Sequence, residues 1–280
     1  MKLIKTPGTM NSVSRMRHKE NKSIGFVPTM GCLHEGHLSL VRKAKVECDV
    51  VVLSIFVNPI QFGPREDFKR YPRYPSKDKM LARREGVDYI FMPAPPVMYP
   101  ENFQTCVLPG KLSSGLSGAA RPGHFKGVCT VVAKLFNIVE PDTAYFGQKD
   151  FQQAQVVKQM IKDLNMNVGV KILPIVREPD GLAMSSRNRY LNDSERKEVP
   201  VLYESLREAK RLIRDGCRNT GKIKKTIKKT INTAKYVNIE YIKLLNPDTL
   251  EPVDKNDKKF LVVIAARVGK VRLIDNVIVS

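Results

Sequence analysis

"SIGFVPTMGCLHEGHLSLVRKAKVECDVVVLSIFV", residues 23 to 57, decides the fold. "SIGFVPT" (23–29) has the length and apolar character of a short buried strand. It runs into a turn carrying Gly31 and the sequence His34-Glu35-Gly36-His37, and a basic helical pattern continues through about Glu47. "DVVVLSIFV" (49–57) is a second strand, almost wholly apolar. Apolar strands alternating with helices predict a parallel sheet covered on both faces.

The same alternation recurs downstream. Helical patterns near 78–86, 125–139 and 150–164 lead to "VDYIFMP" (87–93), "DTAYFG" (142–147) and "VKILPIV" (170–176). The expected fold is a doubly wound, Rossmann-like α/β domain over residues 1–176, with ligands at the strand C-terminal ends. Beyond 192 the character changes. A long helix (about 193–215) and "GKIKKTIKKTINTAK" (221–235) precede strand-like runs at 236–245, 258–268 and 271–279. These predict a smaller α+β domain over residues 177–280. Ile223, Ile227 and Ile231 form one helical stripe, with Lys224, Lys225, Lys228 and Lys229 off it. The lysines read as the solvated face of an amphipathic helix, and no aromatic residue interleaves with them as single-strand binding would want.

The chain has 280 residues and a formal net charge of +20, a balance that attracts nucleic acid, anionic membranes or phosphorylated small molecules. No apolar run approaches the roughly 18–20 residues of a membrane-spanning helix. "MKLIKTPGTM" lacks a hydrophobic signal core, so the expectation is a cytoplasmic protein with no membrane partner. The five cysteines include no Cys-x-x-Cys pair and read as reduced.

His34 and His37 have three readings. Metal ligation is the weaker one: the spacing is not His-Glu-x-x-His, and no cysteine cluster lies nearby. Two satisfied loop histidines is the plain one. An anion cradle fits best, because helix N-termini present free N–H groups and imidazoles add donors to phosphate oxygens. In "FGQKDFQQ" (146–153), Lys149 is placed to neutralise a phosphate, and Gln153 lies one turn along the same helix. Gln61 in "NPIQFG" is a second neutral hydrogen-bonding group after a strand. "MSSRN" (184–188) supplies two hydroxyls and an arginine, which suit a triphosphate or, more plainly, a helix cap. Arg121 and His124 in "RPGHFKGV" share that ambiguity.

Together, "FVPTMGCLHEGHLSLV", "FVNPIQFGPREDFKRYPR", "RPGHFKGVCTVVAKLFNIVEPDTAYFGQKDFQQ", "REPDGLAMSSRNRYL" and "ARVGKVRLIDNV" resemble the signature blocks of the pantoate–β-alanine ligases (pantothenate synthetases). The similarity runs from about residue 23 to the C-terminus. His-x-Gly-His alone is shared across a wider nucleotidyltransferase superfamily. The resemblance implies an AMP-forming carbon–nitrogen ligase of the pantothenate and coenzyme A pathway, a homodimer with a C-terminal lid domain. It would make pantoyl adenylate from pantoate and ATP, with Mg2+ accompanying ATP, then pass the acyl group to β-alanine. It implies His37, His34 and Lys149 as catalytic. It places ATP against Met30, Gly31, His34, His37, Gly147, Lys149, Asp150, Val176, Met184, Ser185, Ser186 and Arg187. It places substrate against Gln61, Gln153, Asn58 and Arg121, and a magnesium contact at Asp78. Two competing readings are a nucleotidyltransferase for another acceptor, and a nucleic-acid-binding protein suggested by charge alone; the ligase reading expects no nucleic acid. Cys32 and Pro179 stand where the family usually has alanine. The first raises the expectation of a thiol-sensitive site, and the second of a stiffened approach to residues 184–187.

Overall fold

In the computed structural model, which describes residues 1–64, 66–254 and 257–280, the stretch 23–57 folds as strand, turn, helix and strand. In chain order the elements are β1 (Lys2–Ile4), α1 (Pro7–Lys19), β2 (Ile24–Thr29), α2 (Glu35–Glu47), β3 (Val50–Ile55), α3 (Pro75–Arg84), β4 (Tyr89–Phe91), α4 (Pro95–Met98), α5 (Leu116–Ala120), α6 (His124–Val139), β5 (Thr143–Gly147), α7 (Phe151–Asp163) and β6 (Gly169–Leu173). The six strands form one sheet in the order β1-β4-β3-β2-β5-β6, and every pairing is parallel.

Strand side chains alternate between faces, so neighbours in sequence enter different cores. Phe26, Val52 and Phe91 pack with Met10 of α1, Phe136 of α6 and Val157 of α7. Val27, Leu53 and Ile90 pack with Val41 and Ala44 of α2 and Ala82 of α3. Apolar residues on both faces are what an unbroken hydrophobic strand requires. Gly25 of β2 is needed for the fit of α2, since a Cβ there would lie 3.0 Å from Cys48 Sγ and 3.2 Å from Ala44 Cβ.

The chain winds outward from β2 to β3 and β4, then returns to place β5 on the other side of β2. The strand order thus reverses between β2 and β5, and doubly wound sheets bind ligands at the strand C-terminal ends beside such a reversal. The segments that follow these two strands are the His-x-Gly-His turn and "GQKDFQQ".

Two compact units divide the chain: Met1–Gln148 with Gln152–Pro174, and Lys149–Phe151 with Ile175–Ser280. The second contains α8 (Asp193–Glu198), α9 (Val201–Arg214), α10 (Thr220–Ile231) and an antiparallel sheet of β7 (Val237–Leu245), β8 (Phe260–Val268) and β9 (Val271–Val279). The single helix expected over 193–215 is two helices, because Pro200 has no N–H to continue α8 and instead caps α9. Ile223, Ile227 and Ile231 are fully buried against this sheet, while Lys225, Lys228 and Lys229 face outward.

Candidate active site

The turn after β2 is fixed by side chains that consume its amides. Gly31 (φ 82°) and Cys32 (φ 53°) are both left-handed, which curls successive N–H groups into a concave anion nest. The nest is filled from within the protein. Asp78, 1% exposed, accepts from Cys32 N at 2.9 Å and from Leu33 N at 2.8 Å, one bond to each carboxylate oxygen. Thr29 Oγ1 accepts from Gly31 N at 3.1 Å. A side chain at Gly31 would be strained, and its Cβ would come within 2.9 Å of both Asp78 and Ile55.

Asp78, expected as an outer contact to magnesium, holds the turn through both carboxylate oxygens. Among the described residues no group of three or more His, Cys, Asp and Glu side chains is disposed to hold a metal ion. The free backbone amides expected to cradle an anion are largely occupied. Cys32 is buried, which shields its thiol from bulky alkylating reagents and argues against ready thiol sensitivity.

The histidines continue the same logic. His34 is the N-cap of α2, and its Nδ1 accepts from Gly36 N at 3.2 Å. His37 Nδ1 reaches back to accept from His34 N at 3.4 Å, an imidazole version of the capping box. The rings lie 4.1 Å apart, tilted by 38°. With both Nδ1 atoms accepting, each neutral ring carries its proton on Nε2. The cap thus satisfies two backbone donors with imidazole nitrogens.

Gln61 is 7% exposed and held at both ends. Asn58 Nδ2 donates to Gln61 Oε1 and to Gly127 O, both at 3.0 Å, and Tyr99 Oη donates to Asn58 Oδ1 at 2.8 Å. Burial raises the pKa of the Tyr99 hydroxyl, which keeps it a donor. Gln61 Nε2 lies 3.2 Å from Met30 Sδ. His124 Nδ1 donates to Gln61 O at 2.9 Å, and its Nε2 accepts from Arg121 at 3.0 Å. Gly127 of α6 allows this approach, since a Cβ there would meet Ile60 O at 2.4 Å.

Arg121, expected on substrate, is engaged with the Glu66 carboxylate through Nε (2.9 Å) and a second, shorter bond. Burial would raise the Glu66 pKa, but Arg121 outweighs it and holds the carboxyl below its usual value. Asn58 likewise acts on Gln61. Tyr99, Glu66 and Gly127 were not expected; only the resulting contacts reveal them. In "DFQQ" the two glutamines differ. Gln152 is buried and ties Ser117, Leu112 and Gly115 of the preceding loop, whereas Gln153 is half-buried on α7. Gly147 ends β5.

The remaining expected residues belong to the second unit. Lys149 Nζ lies 3.9 Å from Asp150 Oδ1, and Lys149 O accepts from Asn276 Nδ2 at 3.1 Å. Val176 O accepts from Met184 N at 3.0 Å. Ser185 caps the short helix Ser186–Tyr190, accepting from Arg187 N at 3.2 Å. Pro179 occupies the second position of a turn closed by Gly181 N to Glu178 O at 2.8 Å, where its fixed φ is favourable.

A doubly wound parallel sheet with a His-x-Gly-His helix cap at its strand-order reversal has the architecture of nucleotide-binding α/β proteins. The family described as Pantoate-beta-alanine ligase matches residues 2–278. A pantothenate synthetase of Caldicellulosiruptor saccharolyticus is 57% identical over 97% of the chain and 96% of that protein. The crystal structure of pantothenate synthetase from Thermus thermophilus superposes with a TM-score of 0.93 at 42% identity, covering 99% of each chain. That of a Francisella tularensis pantoate-beta-alanine ligase complexed with beta-gamma ATP and beta-alanine gives 0.82 at 36% identity, covering 99% of this chain and 97% of that one. The chain belongs to the pantoate–β-alanine ligase family.

Proposed function

We propose that this chain couples pantoate to β-alanine with ATP as the energy source. Pantoate's carboxylate attacks the α-phosphorus, and the bond from that phosphorus to the bridging oxygen breaks, giving pantoyl adenylate and pyrophosphate. The β-alanine amine then attacks the acyl carbon, AMP leaves, and the nitrogen gives up a proton. ATP enters as its magnesium complex, so the metal is part of the substrate.

The observation that carries this reading is the imidazole cap beside β5. Imidazoles held rigidly by the backbone suit the charge that gathers on a phosphoryl group, since fixed donors favour the transition state over the ground state. His37 gives its proton toward the leaving pyrophosphate, and His34 supports the phosphates. Lys149 adds a flexible positive charge. Met30, Gly31, Gly147, Asp150, Val176 and Met184 to Arg187 contact the nucleotide. Gln61 and Gln153 hold pantoate; neutral amides suit it, since carboxylates would repel its own. The protein works as a homodimer, and residues 177–280 act as a lid.

The test is exchange of labelled pyrophosphate into ATP. Exchange is expected only with pantoate present. Gln61→Ala should raise the pantoate concentration needed by about tenfold, the worth of one or two hydrogen bonds. Equal exchange with an unrelated hydroxy acid, or an unchanged requirement in Gln61→Ala, would contradict the substrate assignment.

A further inference from the structure

β9 breaks its own pattern at Asp275 and Asn276. Val271, Leu273, Val277 and Val279 alternate along one face of the strand and pack in the core of the second unit. Asp275 falls on that apolar face and is 3% exposed; Asn276 points the other way and is 2% exposed. Adjacent buried polar residues in a strand are costly unless something specific receives them.

Each has a partner. Arg177 donates to both Asp275 oxygens, at 2.7 and 2.9 Å, and to Gly181 O at 3.0 Å. Its guanidinium carbon lies 3.8 Å from the centre of the Tyr203 ring. Asp275 also accepts from Asn276 N at 2.7 Å. Asn276 Nδ2 donates to the backbone carbonyl of Lys149 at 3.1 Å, across 127 residues of chain. Burial of Asn276 on the face turned away from the core accompanies the grouping of residues 149–151 with this unit.

We propose that Asn276, anchored by the Arg177–Asp275 pair, is a positioning residue for Lys149, setting the backbone from which the ammonium group reaches the nucleotide. This rests on the role given to Lys149 above. A long flexible side chain is placed only as well as its Cα, and an error of about 1 Å far from the chemistry can cost 10²-fold in rate. The Arg177 charge is matched by Asp275, which holds β9 at this point.

A double-mutant cycle on the full chain tests this, using pantoate-dependent pyrophosphate exchange and thermal unfolding. Asn276→Ala should lower kcat/KM by about tenfold or more, and the same change made in Lys149→Ala should add less than about twofold, the non-additivity expected of groups acting together. A merely structural Asn276 would reduce activity by the same factor in both backgrounds, which overturns the proposal. Wild-type exchange in Asn276→Ala with impaired Lys149→Ala overturns it alone. Wild-type exchange in Lys149→Ala overturns the assignment of Lys149 and this proposal with it. If Asn276→Ala does not fold, the cycle is run with Asn276→Ser, which keeps a short donor, and the same criteria apply.

Discussion

Two polar loops follow strands of the same parallel sheet, and they are secured in opposite ways. The turn at 30–37, after β2, is held by one buried carboxylate and two imidazoles bonded to backbone amides. The loop at 177–191, after β6, is held by ion pairs: Arg177 to Asp275, and Arg196 to both Glu178 and Asp180. Amide–carboxylate bonds inside the protein are insensitive to salt. The Arg196 pairs are partly exposed, so salt screens them and each contributes little, whereas the Arg177–Asp275 pair is largely buried. The first loop is held by bonds to backbone amides, the second by charge pairs between side chains.

The largest effect belongs to the fixed turn. His37→Ala should lower turnover by about 10²–10⁴-fold, the usual range for a general acid, while ATP binding measured by calorimetry changes little. Equal losses in rate and affinity would make His37 a binding group only. Asp78→Ala strands two buried N–H groups, so it should cost about 3 kcal/mol in urea unfolding and disable exchange as the imidazole cap loosens. A stable, active Asp78→Ala protein would dissolve the contrast between the loops.

The smallest effect belongs to the second loop. Arg196 is one-third exposed, so Arg196→Ala should cost no more than about 1 kcal/mol, and less at high salt. Its pH dependence is specific. Burial pushes the Asp180 carboxyl up, but Arg196 outweighs this and holds it below the ordinary value of 3.8. A depressed carboxyl contributes stability above its unfolded pKa and loses it as pH falls through the folded one. The gap between wild type and Arg196→Ala should therefore be full above pH 3.8 and close below it. A gap that widened on acidification would contradict the pairing.

Much of this was legible in the sequence because it is periodic. Apolar strands such as "DVVVLSIFV" and the isoleucine stripe of α10 report burial by their spacing. β1 was not foreseen, since three residues show no period, and neither was α1, which begins at Pro7. In the site, His34, His37, Lys149 and the glutamines stood out as chemical groups in turns. Their supports did not. Asp78 lies 46 residues from the Cys32 amide it accepts, Tyr99 lies 41 from Asn58, and Asn276 lies 127 from Lys149. Such pairings follow from topology, which local pattern does not encode. Asp78 shows the consequence: nothing local in the sequence announces its two amide partners.

The direct test is the fate of oxygen. Pantoate carrying 18O in both carboxylate positions is supplied with ATP, magnesium and β-alanine, and the products are examined by 31P NMR and mass spectrometry. Attack of the carboxylate on the α-phosphorus predicts one 18O in AMP and one retained in the amide carbonyl of pantothenate. AMP without label, or label in pyrophosphate or inorganic phosphate, would contradict it.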